Sequence, residues 1–159
     1  MIFVILGTQN MPFTRLLDAV EKQAKQGIIK DEIIVQAGVT KYTSSYMKVF
    51  DLIPSDEFED LVNKSDLIIT HAGVGSILSA IKLGKVTIAA ARDKKYKEHV
   101  NNHQYEILER FMEDGYVLGL TDFDKLDDVL IKAKSFVPKP YVSTRNILIS
   151  KIDDFMNSH

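Results

Sequence analysis

Short apolar runs alternate along the chain with longer stretches whose apolar residues recur every three to four positions. These are the signatures of buried strands and amphipathic helices. Phe3 to Leu6 reads as a first strand. Pro12 suits the opening turn of a helix that carries Leu16, Leu17, Val20 and Ala24 on one face and stops at Gly27. Glu32 to Gln36 reads as a second strand, closed by Ala37-Gly38, and Met47 to Ile53 as a third with Val49 and Leu52 as apolar positions. Ser55 is placed to cap a helix that buries Phe58, Leu61 and Val62, with Asp56 and Glu57 matching the dipole in its first turn. Leu67-Ile68-Ile69 is a buried strand that passes through Gly73-Val74-Gly75-Ser76 into an apolar helix (Ile77, Leu78, Ala80, Ile81) ending at Gly84. Val86 to Ala91 is a further strand. A helix over about Asn101 to Glu113 buries Leu108, Phe111 and Met112 and ends at Asp114-Gly115. Tyr116-Val117-Leu118 is a last short strand, followed by a helix near Asp124 to Lys134. Pro138 and Pro140 break the chain before a terminal helix within residues 141–159, with Leu148, Ile152 and Phe155 on one face.

Repeated strand–helix units imply an α/β fold, a Rossmann-like parallel sheet with helices on both faces. A length of 159 residues fits one domain over residues 1–159. Ligands in such sheets sit beyond the carboxyl ends of the strands. Gly7 to Asn10, His71 to Ser76 and Arg92 to Gln104 should therefore converge. The last of these is polar and long for a connection, which favours function over simple linkage. A net charge of −2 gives no bulk attraction for nucleic acid. With no cysteine, disulfides and thiolate metal sites are excluded. Met1 to Leu6 is too short for a membrane span and lacks a basic leader, so a cytoplasmic protein is expected, held at a membrane only by something else.

The strand–glycine–helix passage at residues 73–76 leaves backbone N–H groups unpaired at the positive end of a helix dipole, which suits a phosphate. A ligand-free βα turn has the same pattern. Gly73-x-Gly75 with Asp93 downstream mimics part of a dinucleotide fingerprint, but Leu78 stands where the third glycine belongs. His99 and His103 are four apart as metal ligands can be, yet no third ligand has a convincing spacing, and no metal is expected. Ser76 lacks the Gly-x-Ser-x-Gly elbow of a hydrolase nucleophile. A fourth reading joins all three strand ends. Gly7-Thr8 and Gly73 to Ser76 form two backbone nests for a diphosphate, His71 shapes the turn, and Asn101, Asn102, His103 and Gln104 supply neutral groups suited to sugar hydroxyls.

His71-Ala72-Gly73-Val74-Gly75-Ser76, the Gly84-Lys85 turn and His99-x-Asn101-Asn102-His103-Gln104 resemble the nucleotide-sugar domain of GT-B glycosyltransferases. The opening Gly7-Thr8 with Phe13, Arg15 and Leu16-Leu17 is similar as well. The likeness extends over nearly the whole chain. It is strongest to single-domain subunits of two-part enzymes. These are the cytosolic subunit of the dolichol-linked GlcNAc transferase and, nearer still, bacterial exopolysaccharide and capsule subunits. The C-terminal domain of the peptidoglycan GlcNAc transferase is a further relation. The resemblance implies the donor-binding half of an inverting, metal-independent transferase that needs no cofactor. A membrane-anchored partner would supply the acceptor half, the lipid-linked sugar acceptor and the catalytic base.

The resemblance also implies diphosphate contacts at Gly7, Thr8, His71, Gly73, Val74, Gly75 and Ser76, and sugar or ribose contacts at Ser79, Arg92, Asn101, Asn102, His103 and Gln104. Ser79 stands where GlcNAc-transferring relatives carry a ribose-holding glutamate, Asn101 where an aspartate is common, and Val86 and Ala91 where prolines are frequent. These departures favour the bacterial polysaccharide branch, with galactose as first donor sugar and glucuronic acid as second. A non-catalytic module that binds and enhances a membrane transferase is the second functional reading.

Overall fold

The computed structural model describes residues 1–143. Six parallel strands run in the order β3-β2-β1-β4-β5-β6: β1 (Ile2–Ile5), β2 (Ile33–Gln36), β3 (Lys48–Phe50), β4 (Leu67–His71), β5 (Thr87–Ala90) and β6 (Leu118–Leu120). The intervening helices are α1 (Thr14–Lys25), α2 (Ser55–Lys64), α3 (Val74–Ile81), α4 (His103–Glu113) and α5 (Leu126–Ala133). Period-two alternation of side chains puts Ile2, Val4 and Leu6 in one core layer, with Leu16, Leu17 and Val20 of α1 and Leu126 and Leu130 of α5. Phe3 and Ile5 point the other way, into a layer with Val62 of α2 and Ala80 of α3. Ala72, Ala89 and Ala91 continue that face with Ile77 and Leu108. Helices therefore cover both faces, and the α/β reading of the sequence holds.

The chain order reverses at β1, which pairs with β2 on one side and β4 on the other. A crevice opens at such a switch point because the connections leaving the two strands diverge to opposite faces. It lies between Leu6-Gly7-Thr8 and His71-Ala72-Gly73.

Several boundaries differ from the sequence expectation for local reasons. The first helix starts at Thr14, because Phe13 is buried and its N–H donates to Thr40 Oγ1 at 2.9 Å. Ser55 opens α2 from inside, with Pro54 at the cap position and no side-chain cap. The third strand stops at Phe50, and Ile53 N–H donates instead to Gln36 Oε1 at 2.8 Å, leaving Leu52 exposed. Asn101 and Asn102 precede α4, and Met112 on that helix is exposed. Tyr116 N–H bonds back to Phe111 O as a helix exit, which shifts the last strand to Leu118–Leu120. A single turn of 3-10 helix over Phe123–Lys125 delays the following helix to Leu126. The predicted terminal helix lies outside the described residues, apart from positions 141–143.

Candidate functional site

The crevice is a cleft of about 370 Å³ whose walls include Gly7, Thr8, His71, Gly73, Val74, Gly75, Ser76 and Ser79. Seven of these residues belong to the expected diphosphate set and Ser79 to the sugar and ribose set. Ile5, Gln9, Gln36 and Phe58 also line it. Gln9 lies in the Gly7 to Asn10 segment expected at this end, whereas Ile5, Gln36 and Phe58 are not among the expected site residues, although Gln36, a polar residue ending a buried strand, is a usable signal. Gly73 is the N-cap of α3 and makes no side-chain cap, leaving the helix's first amides without one. These donors and the helix dipole make this end of the cleft favourable for an anion.

His71 organises the cleft wall. It is 4% exposed, and its imidazole lies between the two glycine turns. A Cβ built on Gly7 would lie 2.2 Å from His71 Nε2, and one on Gly73 would lie 2.3 Å from Cε1. Gly7 also takes φ +78, in the left-handed region that favours glycine. These two positions need glycine because the ring fills the space a side chain would take. At Gly75 the same test meets nothing within 4 Å, so that position faces open cleft. His71 Nε2 lies 3.0 Å from Ser76 Oγ, and Nδ1 lies 3.2 Å from Gln104 Nε2. Burial, and next the nearby Arg92 cation, push its pKa down to about 3. The ring is therefore neutral across the physiological range.

The residues expected to meet a sugar divide into two groups. Asn101, Asn102 and His103 are exposed at the start of α4. Asn102 Oδ1 accepts from Lys94 N–H at 2.9 Å, Asn101 Oδ1 from His103 N–H at 2.9 Å, and His103 pairs with Glu106 at 3.1 Å. Arg92 and Gln104 are instead buried, at 1% and 3% exposure. The Arg92 guanidinium donates to the carbonyls of Leu6, Met11 and Glu98 at 2.6, 2.6 and 2.9 Å. Burial lowers its pKa to about 10, against the pull of Glu98. In this arrangement Arg92 braces the turn after β1 against the loop after β5, and neither its side chain nor that of Gln104 presents a surface to a ligand. Ser79 Oγ donates to Gly75 O at 2.8 Å.

The loop after β5 is held by a cluster that the sequence did not reveal. Arg15 donates to both carboxylate oxygens of buried Glu98, at 3.0 and 2.8 Å, and its guanidinium lies 4.2 Å from the Tyr96 ring centre and 3.8 Å from that of Phe123. Glu98 Oε1 also accepts from Asp93 N–H at 3.0 Å, and Tyr105 donates to Asp93 at 2.6 Å. A long polar loop is thereby fixed, although none of its residues lines the cleft. Among the described residues, no helix is long and apolar enough to cross a membrane.

The model of the glycosyltransferase family 28 C-terminal domain matches residues 1–157. Among curated proteins, the UDP-N-acetylglucosamine transferase subunit ALG13 of Debaryomyces hansenii is 26% identical over 140 residues, covering 83% of this chain and 63% of that one. The subunit of the same name from Saccharomyces cerevisiae is 38% identical over 72 residues, covering 45% of this chain and 34% of the relative. The chain thus spans about a third to just under two thirds of the length of these relatives. Among solved structures, the solution structure of ALG13 superposes with a TM-score of 0.59 at 23% identity, over 95% of this chain and 93% of that one. The glycotransferase of kitacinnamycin superposes with a TM-score of 0.64 at 15% identity, over 84% of this chain but 34% of its own. At these identities the structural likeness establishes a shared fold.

Proposed function

The chain belongs to the glycosyltransferase family 28 C-terminal domain family, and from that premise we propose that it is the donor-binding, catalytic subunit of a two-part UDP-sugar glycosyltransferase. The observation that carries this reading is the cleft at the switch point, where two glycine turns and the amides of α3 face one space. A diphosphate fits that chemistry: backbone donors and a helix dipole balance its charge without a buried cation. In the transfer, an acceptor hydroxyl attacks the anomeric carbon, the bond from that carbon to the phosphate oxygen breaks, and UDP leaves. Negative charge grows on the leaving phosphate as the bond breaks, and the α3 amides stabilise it there.

A base must take the acceptor's proton. His71 is unsuited, being buried with both ring nitrogens engaged. The base therefore falls to a membrane-anchored partner that also holds the lipid-linked acceptor. Recruitment by such a partner would keep this subunit at the inner face of the membrane. Asn101, Asn102 and His103 do not line the cleft itself, but they are exposed just before Gln104, which bonds the cleft residue His71, and are the side chains proposed to meet a donor sugar. Arg92 and Gln104 are buried and hold the loop's backbone and the His71 ring instead.

The named relatives are UDP-N-acetylglucosamine transferase subunits, which makes UDP-GlcNAc an obvious donor to test. Ser79 lines the cleft where the GlcNAc-transferring relatives that the chain resembles carry a ribose-holding glutamate, and that departure counts against GlcNAc. From the resemblance to bacterial exopolysaccharide and capsule subunits, galactose, then glucuronic acid, is the proposed donor sugar, in assembly of such a polysaccharide. The same missing acid supports the second reading, a non-catalytic module with a degenerate donor site that enhances its partner.

Calorimetric titration with UDP, UDP-galactose, UDP-glucuronic acid and UDP-GlcNAc tests the first step. Transfer to a lipid-linked acceptor by the chain co-expressed with its membrane partner tests the second. UDP-sugar binding with partner-dependent transfer is expected. Absence of UDP binding would leave only the accessory module, and full transfer by the purified chain alone would overturn the two-subunit reading.

A further inference from the structure

A chain of hydrogen bonds runs from the backbone of Arg92 through Gln104 and His71 to Ser76, and its direction is fixed at one end. The backbone N–H of Arg92 can only donate, so Gln104 Oε1, 3.0 Å away, must accept. The other atom of that side-chain amide is then the NH2 group, which only donates, and it lies 3.2 Å from His71 Nδ1. Nδ1 must offer its lone pair. A neutral imidazole with a bare Nδ1 carries its hydrogen on Nε2, which is 3.0 Å from Ser76 Oγ. The serine oxygen accepts that hydrogen, so its own O–H points away from the ring.

We propose that Gln104, oriented by the Arg92 backbone, is a positioning residue that sets the His71 tautomer and thereby presents Ser76 to the cleft as a hydrogen-bond donor for an anion. The proposal rests on the donor-site reading for the identity of that anion, a nucleoside diphosphate, but not for the tautomer. Three further features support it. Gln104 and His71 are 3% and 4% exposed, so water does not compete for their hydrogen bonds. The ring cannot turn over freely, because the backbones of Gly7 and Gly73 hold it on either side. An imidazolium would direct a second N–H at the Gln104 NH2 group, while the Arg92 guanidinium adds a neighbouring positive charge. The opposite tautomer would draw the serine hydrogen onto the ring and turn an oxygen lone pair toward the phosphate, where it repels. This assignment also explains why a glutamine that would otherwise face a sugar lies buried at the start of α4.

Nitrogen-15 NMR of the histidine-labelled chain reads the tautomer directly. The expected His71 spectrum has an unprotonated Nδ1 and a protonated Nε2, unchanged between pH 5 and pH 8. Hydrogen on Nδ1, or titration of the ring within that range, would overturn the relay whether or not any ligand binds. A double-mutant cycle then tests the step to Ser76, using UDP and uridine as probes. Gln104→Met and Ser76→Ala should each weaken UDP by about tenfold or more, the loss of one hydrogen bond to a charged group, and leave uridine unchanged. The double variant should bind UDP no more weakly than the poorer single variant. Losses that multiply, or equal losses for uridine, would show that Gln104 does not act through Ser76. A wild-type chain that binds no UDP would remove the donor-site reading and the anion from this proposal, while the nitrogen shifts decide the tautomer separately.

Discussion

The two ends of the sheet enclose clefts of the same size, about 370 Å³ each, with opposite chemistry. At the carboxyl ends of β1 and β4, the cleft is walled by glycine turns, hydroxyls and the first amides of α3. At the amino ends, a groove is lined by Ile2, Ile28, Leu67, Val86, Ile131 and Phe136, with Asp31, Asp66 and Lys134 among them. Volume does not distinguish the two, but helix direction does. In a parallel sheet each crossover helix runs back against its strands, so helix N-termini collect at the strand carboxyl ends and helix C-termini at the other. Free N–H groups and positive dipole ends are therefore available to an anion on one side only. The apolar groove follows from packing, and the polar cleft follows from turns that leave their donors free.

The largest effect should come from the brace beneath the polar cleft. Arg92→Leu removes the donors from three buried backbone carbonyls and takes a cation away from the neighbourhood of buried Glu98, so a loss on the order of 3–5 kcal/mol in urea unfolding is expected. A loss under about 1 kcal/mol would show that the two strand ends are not tied together by this residue. Gly7→Ala comes next. Its Cβ would lie 2.2 Å from the His71 ring at a φ of +78, which should cost about 2–4 kcal/mol through overpacking and backbone strain.

Acid should weaken the same wall. The His71 pKa is depressed in the fold to about 3 from an ordinary value of 6.5, so the unfolded chain binds the extra proton first. The stability this gives is present above pH 6.5 and is lost as pH falls toward 3. Between pH 7 and pH 4.5 the loss should be on the order of 2 kcal/mol, and a His71→Asn variant should lack that part of the slope. The smallest effects on folding, and the sharpest contrast between the two ends, come from a pair of exposed positions. Gly75→Val enters open cleft and should change stability by less than about 1 kcal/mol while weakening UDP more than tenfold, equivalent to about 1.4 kcal/mol. Ile131→Ser in the apolar groove should move stability by no more than about 0.5 kcal/mol and leave UDP binding unchanged.

The strand–helix alternation made the fold legible because each strand is a compact apolar run bounded by turn residues. The glycine turn at residues 73–76 was legible for the same reason, since the switch from period two to period 3.6 marks where backbone donors are freed. The sequence did not reveal which polar residues face inward. Arg92 and Gln104 have the composition of ligand contacts, yet their partners are carbonyls and an imidazole brought together from β1, β4 and the loop after β5. Arg15 and Glu98 are 83 positions apart and meet only once α1 packs beside that loop. Local pattern carries no signal for such pairs. The boundary shifts at Phe13 and Ile53 share that origin, because each N–H finds its partner on a distant segment, whereas the shift at Tyr116 comes from a local bond back to the end of α4.

Amide chemical-shift mapping of the isotope-labelled chain during a UDP titration tests the central contrast between the two ends most directly. Shifts are expected at Gly7, Thr8 and Gly73 to Ser76, with Ile28, Leu67 and Ile131 at the opposite end unmoved. Saturating shifts confined to the apolar groove, or no shift at either glycine turn at millimolar UDP, would contradict the assignment of the switch-point cleft as the donor site.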